Sequence, residues 1–182
     1  MFKKIFLFCS PKRSGGGRKR WAGFNPQNPL DFAQNGFGFR PISTTMKIGI
    51  IGSMQFTEKM LEFRDELNKL GHEAFLTDLH ESFIGKNDEE KEAIKLHQKY
   101  NMDAIRTFWN AMQGADAVLV LNYGKHGIEN YIGGNTLMEI GFAHVLNQKI
   151  FLLNPIPEIP YYKTEIIAVN PIIINGDLSL IK

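Results

Sequence analysis

Two stretches of this chain, Ala117–Leu121 (AVLVL) and Lys149–Leu153 (KIFLL), are apolar almost without interruption. A strand with one face in water alternates apolar and polar residues, so unbroken runs of this length are expected of strands buried on both faces. Such strands occur in parallel sheets whose crossover connections place helices on either side. The rest of the sequence supplies those helices and further strands. Lys47–Ile51 reads as a first strand, and Phe56–Leu70 as an amphipathic helix with Met60, Leu61, Phe63, Leu67 and Leu70 on its apolar face and Gly71 as its stop. Glu73–Thr77 is a short second strand. Asp88–Gln113 is a long helical region with a break near Asn101, whose second half is expected to bury Met102, Ile105, Trp109 and Met112. Pro171–Ile174 is the last strand, after an irregular stretch containing Pro155, Pro157 and Pro160. The expected fold class is α/β, a doubly wound parallel sheet of about five strands.

Composition divides the chain at Met46. Of 182 residues, the first 45 hold eight Lys/Arg and one acidic residue, a charge of +7; the remainder holds thirteen basic and eighteen acidic residues, a charge of −5. Residues 11–40 are rich in Gly, Pro, Asn and Arg and show no helical or strand period, the mark of a disordered stretch. Residues 1–45 are therefore expected to be a basic, disordered extension, with Met46 as the working start, and 46–182 to be the folded domain. The apolar run Ile5–Cys9 is too short for a signal peptide. The basic residues of the extension suit any unstructured tail, so a nucleic-acid partner is not expected. The only cysteine, Cys9, lies in the extension, which leaves 46–182 without a disulfide or a thiolate nucleophile and fits a cytoplasmic protein. No apolar run reaches membrane-spanning length, so no membrane partner is expected.

The segment Tyr131–His144 (YIGGNTLMEIGFAH) carries the most chemistry. From Leu137 to Leu146 the only polar residues are Glu139 and His144. A helix without a polar face is expected to be buried, and a carboxylate on it must be paired, hydrogen-bonded or shifted in pKa. Two readings stay open for Glu139. It can close a capping box on Thr136, or it can stand at the mouth of a site. His144, roughly 140° further around the helix, reads as a core histidine.

Ligands of open parallel sheets bind beyond the carboxyl ends of the strands. That edge receives Gly52, Ser53 and Met54 after the first strand, Asp78 after the second, Asn122 and Tyr123 after the third and Asn154 after the fourth. Asp116 precedes its strand and reads as a turn residue at the opposite edge. The first turn, Gly49-Ile-Ile-Gly52-Ser53, lacks the GxGxxG dinucleotide fingerprint and the Ser/Thr-rich loop of a flavin protein. It still offers backbone N–H groups and a hydroxyl to a phosphate or sugar oxygen. No cofactor or metal is expected. No Arg-rich phosphate clamp flanks this turn, and Lys59 is its nearest basic residue.

A strand ending in Gly52-Ser53-Met54, a helix bearing Asp103, the strand ADAVLVLN (115–122) and the Gly-rich turn into EIGFAHVLNQKIFLL (139–153) resemble the nucleoside 2-deoxyribosyltransferase family and its 2′-deoxynucleoside 5′-monophosphate N-glycosidase relatives. The likeness covers about 46–175 and is most specific over Gly133–Ile150. GGNTLME also resembles a shortened PGGxGTxxE motif of the phosphoribohydrolases that act on cytokinin nucleotides.

The resemblance implies a flavodoxin-like (Rossmann-like) fold, a dimer or larger homo-oligomer, and cleavage or transfer at the N-glycosidic bond of a nucleoside or nucleoside 5′-monophosphate. It implies that Glu139 is the nucleophile, attacking the anomeric carbon from the first turn of its helix, where the dipole favours the anion. Asp103 falls near the family's second carboxylate, which assists proton transfer at the base and orients the sugar; a plain surface role for it stays open. Gly52, Ser53, Met54, Asn122, Tyr123, Gly133, Gly134 and Asn135 are the expected substrate-binding residues. Gly133 departs from the family, whose transferases place an Asp and whose hydrolases a Ser there, leaving Asn135 or Asn122 to meet a sugar hydroxyl. The alternative function is a nucleotide-binding or sensor module in which Glu139 grips ribose hydroxyls without reacting.

Overall fold

The structure is a computed structural model and describes residues 45–182. The expected disordered extension therefore lies outside the described residues, apart from Thr45. Five parallel strands form one sheet: β1 (Lys47–Gly52), β2 (Glu73–Phe75), β3 (Ala117–Leu121), β4 (Lys149–Leu152) and β5 (Ile172–Ile173). Their order is β2-β1-β3-β4-β5, the flavodoxin-like arrangement. The helices are α1 (Thr57–Lys69), α2 (Asp88–Asn101), α3 (Ala104–Met112), α4 (Gly134–Val145) and α5 (Lys163–Ala168).

The two apolar runs lie side by side at the centre, paired from Ala117 with Lys149 to Val120 with Leu152, and every residue of β3 is buried. Successive residues of each strand feed opposite faces of the sheet. On one face Ile48, Ile50, Leu119, Leu121 and Phe151 pack with Met60 and Leu67 of α1. On the other, Ile51, Val118, Val120, Ile150 and Leu152 pack with Phe108 and Met112 of α3, Ile140 and Ala143 of α4, and Ile166 of α5. At the end of β1 a Cβ on Gly52 would stand 2.9 Å from the Leu121 carbonyl oxygen, so the close approach of β1 and β3 explains this glycine. Asp116 is the turn residue expected, its Oδ2 accepting the Lys47 N–H at 2.7 Å.

Four sequence expectations change. The long helical region does break, but Asp103 adopts a left-handed conformation (φ 45°, ψ 50°) between α2 and α3. The restarted helix turns Phe108 and Met112 towards the sheet and leaves Met102 and Ile105 exposed rather than buried. Helix α4 is not covered all round: it lies on the outer layer, with Ile140 and Ala143 inward and Met138 and Val145 exposed. His144 is exposed too, and is not a core histidine. The edge strands β2 and β5 are shorter than expected, each having one neighbour to pair with. Among the described residues no helix is long and apolar enough to cross a membrane.

Candidate functional site

After β1 the chain turns to one face of the sheet, and after the adjacent β3 it turns to the other, which makes their carboxyl ends the topological switch point. A cleft opens there, lined by Gly52 and Met54 of the first turn, Lys95 and Lys99 of α2, Ile105 and Phe108 of α3, and Asn135, Met138, Glu139 and Phe142 of α4. It encloses about 50 Å³, so a ligand larger than a few waters enters only when the unbranched side chains Met54, Met138, Lys95 or Lys99 swing aside.

Helix α4 begins on Gly133, three residues before the start that a capping box on Thr136 requires, and no side chain caps it. The capping reading of Glu139 is thereby overturned. The carboxylate belongs instead to the sixth residue of the helix, beyond the first turn, where the dipole does little for it. Glu139 is half-buried overall, yet its Oε2 is fully buried and has no hydrogen-bond partner. Two other buried side-chain atoms share that condition among the described residues, His80 Nε2 and Gln148 Oε1, and neither residue lines the cleft. Burial pushes the Glu139 carboxyl up to about 8, against a weaker opposing pull from the Lys99 charge.

The other expected site residues divide. Gly52, Met54 and Asn135 line the cleft with Glu139. Gly133 and Gly134 cap and open α4 beside them; a Cβ on Gly134 would meet nothing within 4 Å, so no protein contact there demands glycine. Asp103 does not line the cleft. It is exposed and ion-paired with Arg106 at 2.8 Å, which holds its carboxyl below the usual range, and it borders a separate depression with Trp109. Tyr123 stacks its edge on Phe56, with ring centroids 5.1 Å apart, and packs against the core. Ser53 accepts a hydrogen bond from Lys125 at 3.0 Å.

Asn122 is occupied as a clamp between the ends of β3 and β4. Its Nδ2 donates to the Asn154 and Pro155 carbonyls at 3.0 Å each, and its Oδ1 accepts the Asn154 N–H at 2.9 Å. With 1% exposure it has no free edge for a ligand. Asn122→Ala strands these buried backbone groups and is expected to cost about 2–4 kcal/mol of stability in urea unfolding. A loss below ~1 kcal/mol would show that water replaces the clamp.

The lysines of α2 escaped the sequence reading. Lys91 is buried and donates to the Gln55 carbonyl at 3.2 Å and to both Glu58 oxygens at 3.1 and 2.8 Å, anchoring α2 to the first turn. Lys95 and Lys99 follow at intervals of four on the same helix face and are thus carried to the cleft. The spacing Lys91, Lys95, Lys99 was the available signal. No group of three or more metal-ligating side chains exists among the described residues. The chain has no significant match among protein-family models, curated proteins or solved structures.

Proposed function

We propose that the cleft binds a nucleoside or nucleotide and cleaves or transfers its N-glycosidic bond, as in the nucleoside 2-deoxyribosyltransferase family that the motifs resemble. The observation that carries this reading is the buried, unpartnered Glu139 carboxyl opening on a cleft at the switch point. An oxocarbenium-like transition state needs an anion beside the anomeric carbon, and a carboxylate supplies one and can capture the sugar. In this proposal the ionised Glu139 attacks the anomeric carbon as the C–N bond breaks, and the electron pair leaves with the base. Lys99 lines the cleft and acts electrostatically on Glu139; it replaces Asp103 as proton donor to the departing base, and its free amine then takes a proton from the water that releases the sugar.

A homo-oligomer and a cytoplasmic setting belong to the same proposal. The exposed apolar Met138 and Val145 of α4 support the first, and the lack of cysteine in 46–182 supports the second.

That Glu139 is the only carboxylate lining the cleft among the described residues favours a competing reading, a nucleotide-binding module in which a neutral Glu139 donates to a ribose hydroxyl. Incubation of the full chain with the common nucleosides and their 5′-monophosphates, scored for free base, separates the two. Base release is expected; binding with no base released would leave the module.

A further inference from the structure

Helix α2 walls the cleft without an apolar anchor. Its only two buried residues, Lys91 and Gln98, are polar, and none of its residues belongs to the packed cluster on either face of the sheet. Its large apolar residues Leu96 and Tyr100 are exposed. Two polar contacts hold it down instead. In its first half the Lys91 ammonium meets Glu58 of α1 and the Gln55 carbonyl of the first turn. In its second half Gln98 Nε2 donates to the Leu79 carbonyl at 2.9 Å and to Ser82 Oγ at 3.0 Å.

The helix needs neither contact to stay helical. Asn87 and Glu90 close a capping box at its start, Asn87 Oδ1 accepting the Glu90 N–H at 2.9 Å and Glu90 Oε2 the Asn87 N–H at 3.0 Å. Lys86 with Glu90 and Lys95 with Glu92 pair along its surface. The backbone is left-handed just before and just after it, at Gly85 (φ 71°) and Asp103 (φ 45°). Both points are uncrowded: a Cβ on Gly85 would meet nothing within 4 Å, and Asp103 is exposed. Beneath the helix, the cleft encloses about 50 Å³, too little for an organic ligand. Two of the four side chains that obstruct it, Lys95 and Lys99, are carried on α2 and move with it. They are also the only charged groups lining the cleft with Glu139 among the described residues; the first turn and α3 place none there, and α4 places no other.

We propose that α2 is the lid of the cleft, swinging on Gly85 and Asp103, and that Lys91 and Gln98 are the latches that hold it shut over Glu139. Opening exchanges the hydrogen bonds of two polar side chains for hydrogen bonds to water and pulls no core residue out with the helix. It therefore costs a fraction of global unfolding. It also gives the buried Glu139 Oε2, which has no partner in the closed form, access to water. The lid serves a catalytic or a purely binding cleft alike, so it does not depend on the glycosidic reading.

Hydrogen exchange of the full chain, read by mass spectrometry where the rate reports the opening equilibrium, tests the lid. In the wild type the α2 amides are expected to exchange about a hundredfold or more faster than those of β3, after correction for intrinsic rates. Asn122→Ala, which removes the clamp between β3 and β4, should speed exchange in β3 by about thirtyfold or more. It should leave α2 unchanged, because the clamp is intact whether the lid is open or shut. Lys91→Met and Gln98→Leu should each speed exchange in α2 by about tenfold or more. Brief labelling with a water-soluble carbodiimide and an amine then reads the cleft itself. Each latch variant should raise amidation of Glu139 by about tenfold, with the exposed Glu129 as an unchanged internal standard. Equal protection of α2 and β3, or acceleration of α2 by Asn122→Ala, would show that the helix opens only with the whole domain, and overturns the lid. A latch variant that leaves α2 protection unchanged, or frees α2 without raising Glu139 labelling, overturns it too. Neither readout involves a nucleoside, so failure of the lid and failure of base release are told apart.

Discussion

Glu139→Gln is expected to lower base release by about 10³-fold or more and to make the protein harder to unfold above neutral pH. Both effects have one cause. The site holds a carboxyl away from water and leaves its Oε2 without a partner, so the folded protein keeps its proton up to about pH 8 instead of releasing it near the ordinary value of 4.5. Between those two pH values the unfolded chain has lost a proton that the native state still holds. Stability therefore falls as pH rises from 4.5 to about 8 and levels off beyond. By pH 8.5 the ionised carboxylate should have cost the wild type on the order of 5 kcal/mol, a cost that glutamine, which does not titrate, never incurs. Urea unfolding at pH 5 and pH 8.5 measures the difference. The variant should gain on the wild type as pH rises; a gap that stays constant would mean that Glu139 is ionised in the fold. Near-normal turnover by the variant would return the residue to a binding role.

The parts legible in the sequence are those whose environment leaves one chemical choice. β3 is buried on both faces, so each of its residues must be apolar whatever packs above and below it, and AVLVL could be placed to the residue. Glu139 was legible for the converse reason, as a charge in an apolar run that had to be explained. Its local role was not, because Gly133 and Thr136 are both acceptable helix starts and spacing does not choose between them. Whether Asp103 reached the cleft was not legible, because a left-handed residue between two helices turns the second one by an amount that helical periodicity does not contain. The lysine face of α2 depends on the burial of Lys91 against Glu58, a contact between residues 33 positions apart. In each case the missing information was which side of a short irregular segment faces the switch point.

Turnover should pass through a covalent sugar adduct on Glu139 and should accelerate with pH up to about 8. Inversion would require a second carboxylate to activate water on the far face of the sugar, and Glu139 is the only carboxylate that lines the cleft among the described residues. Double displacement asks one carboxylate to attack and leaves the proton transfers to another group, for which Lys99 is placed. The attacking form is the anion, so kcat/KM should rise about tenfold per pH unit below the Glu139 pKa and then flatten. Hydrolysis and transfer compete for one intermediate, so adding free adenine or another base should divert product from free sugar to a new nucleoside or nucleotide. Protein quenched during turnover should show a pentosyl-sized mass increase, or a phosphopentosyl one with a monophosphate, on the peptide containing Glu139. Release of the inverted anomer first, with neither base exchange nor adduct, would remove the nucleophile from the mechanism. A rate that falls between pH 6 and 8 would do so too, since it would make the protonated carboxyl, a general acid, the working form of the residue.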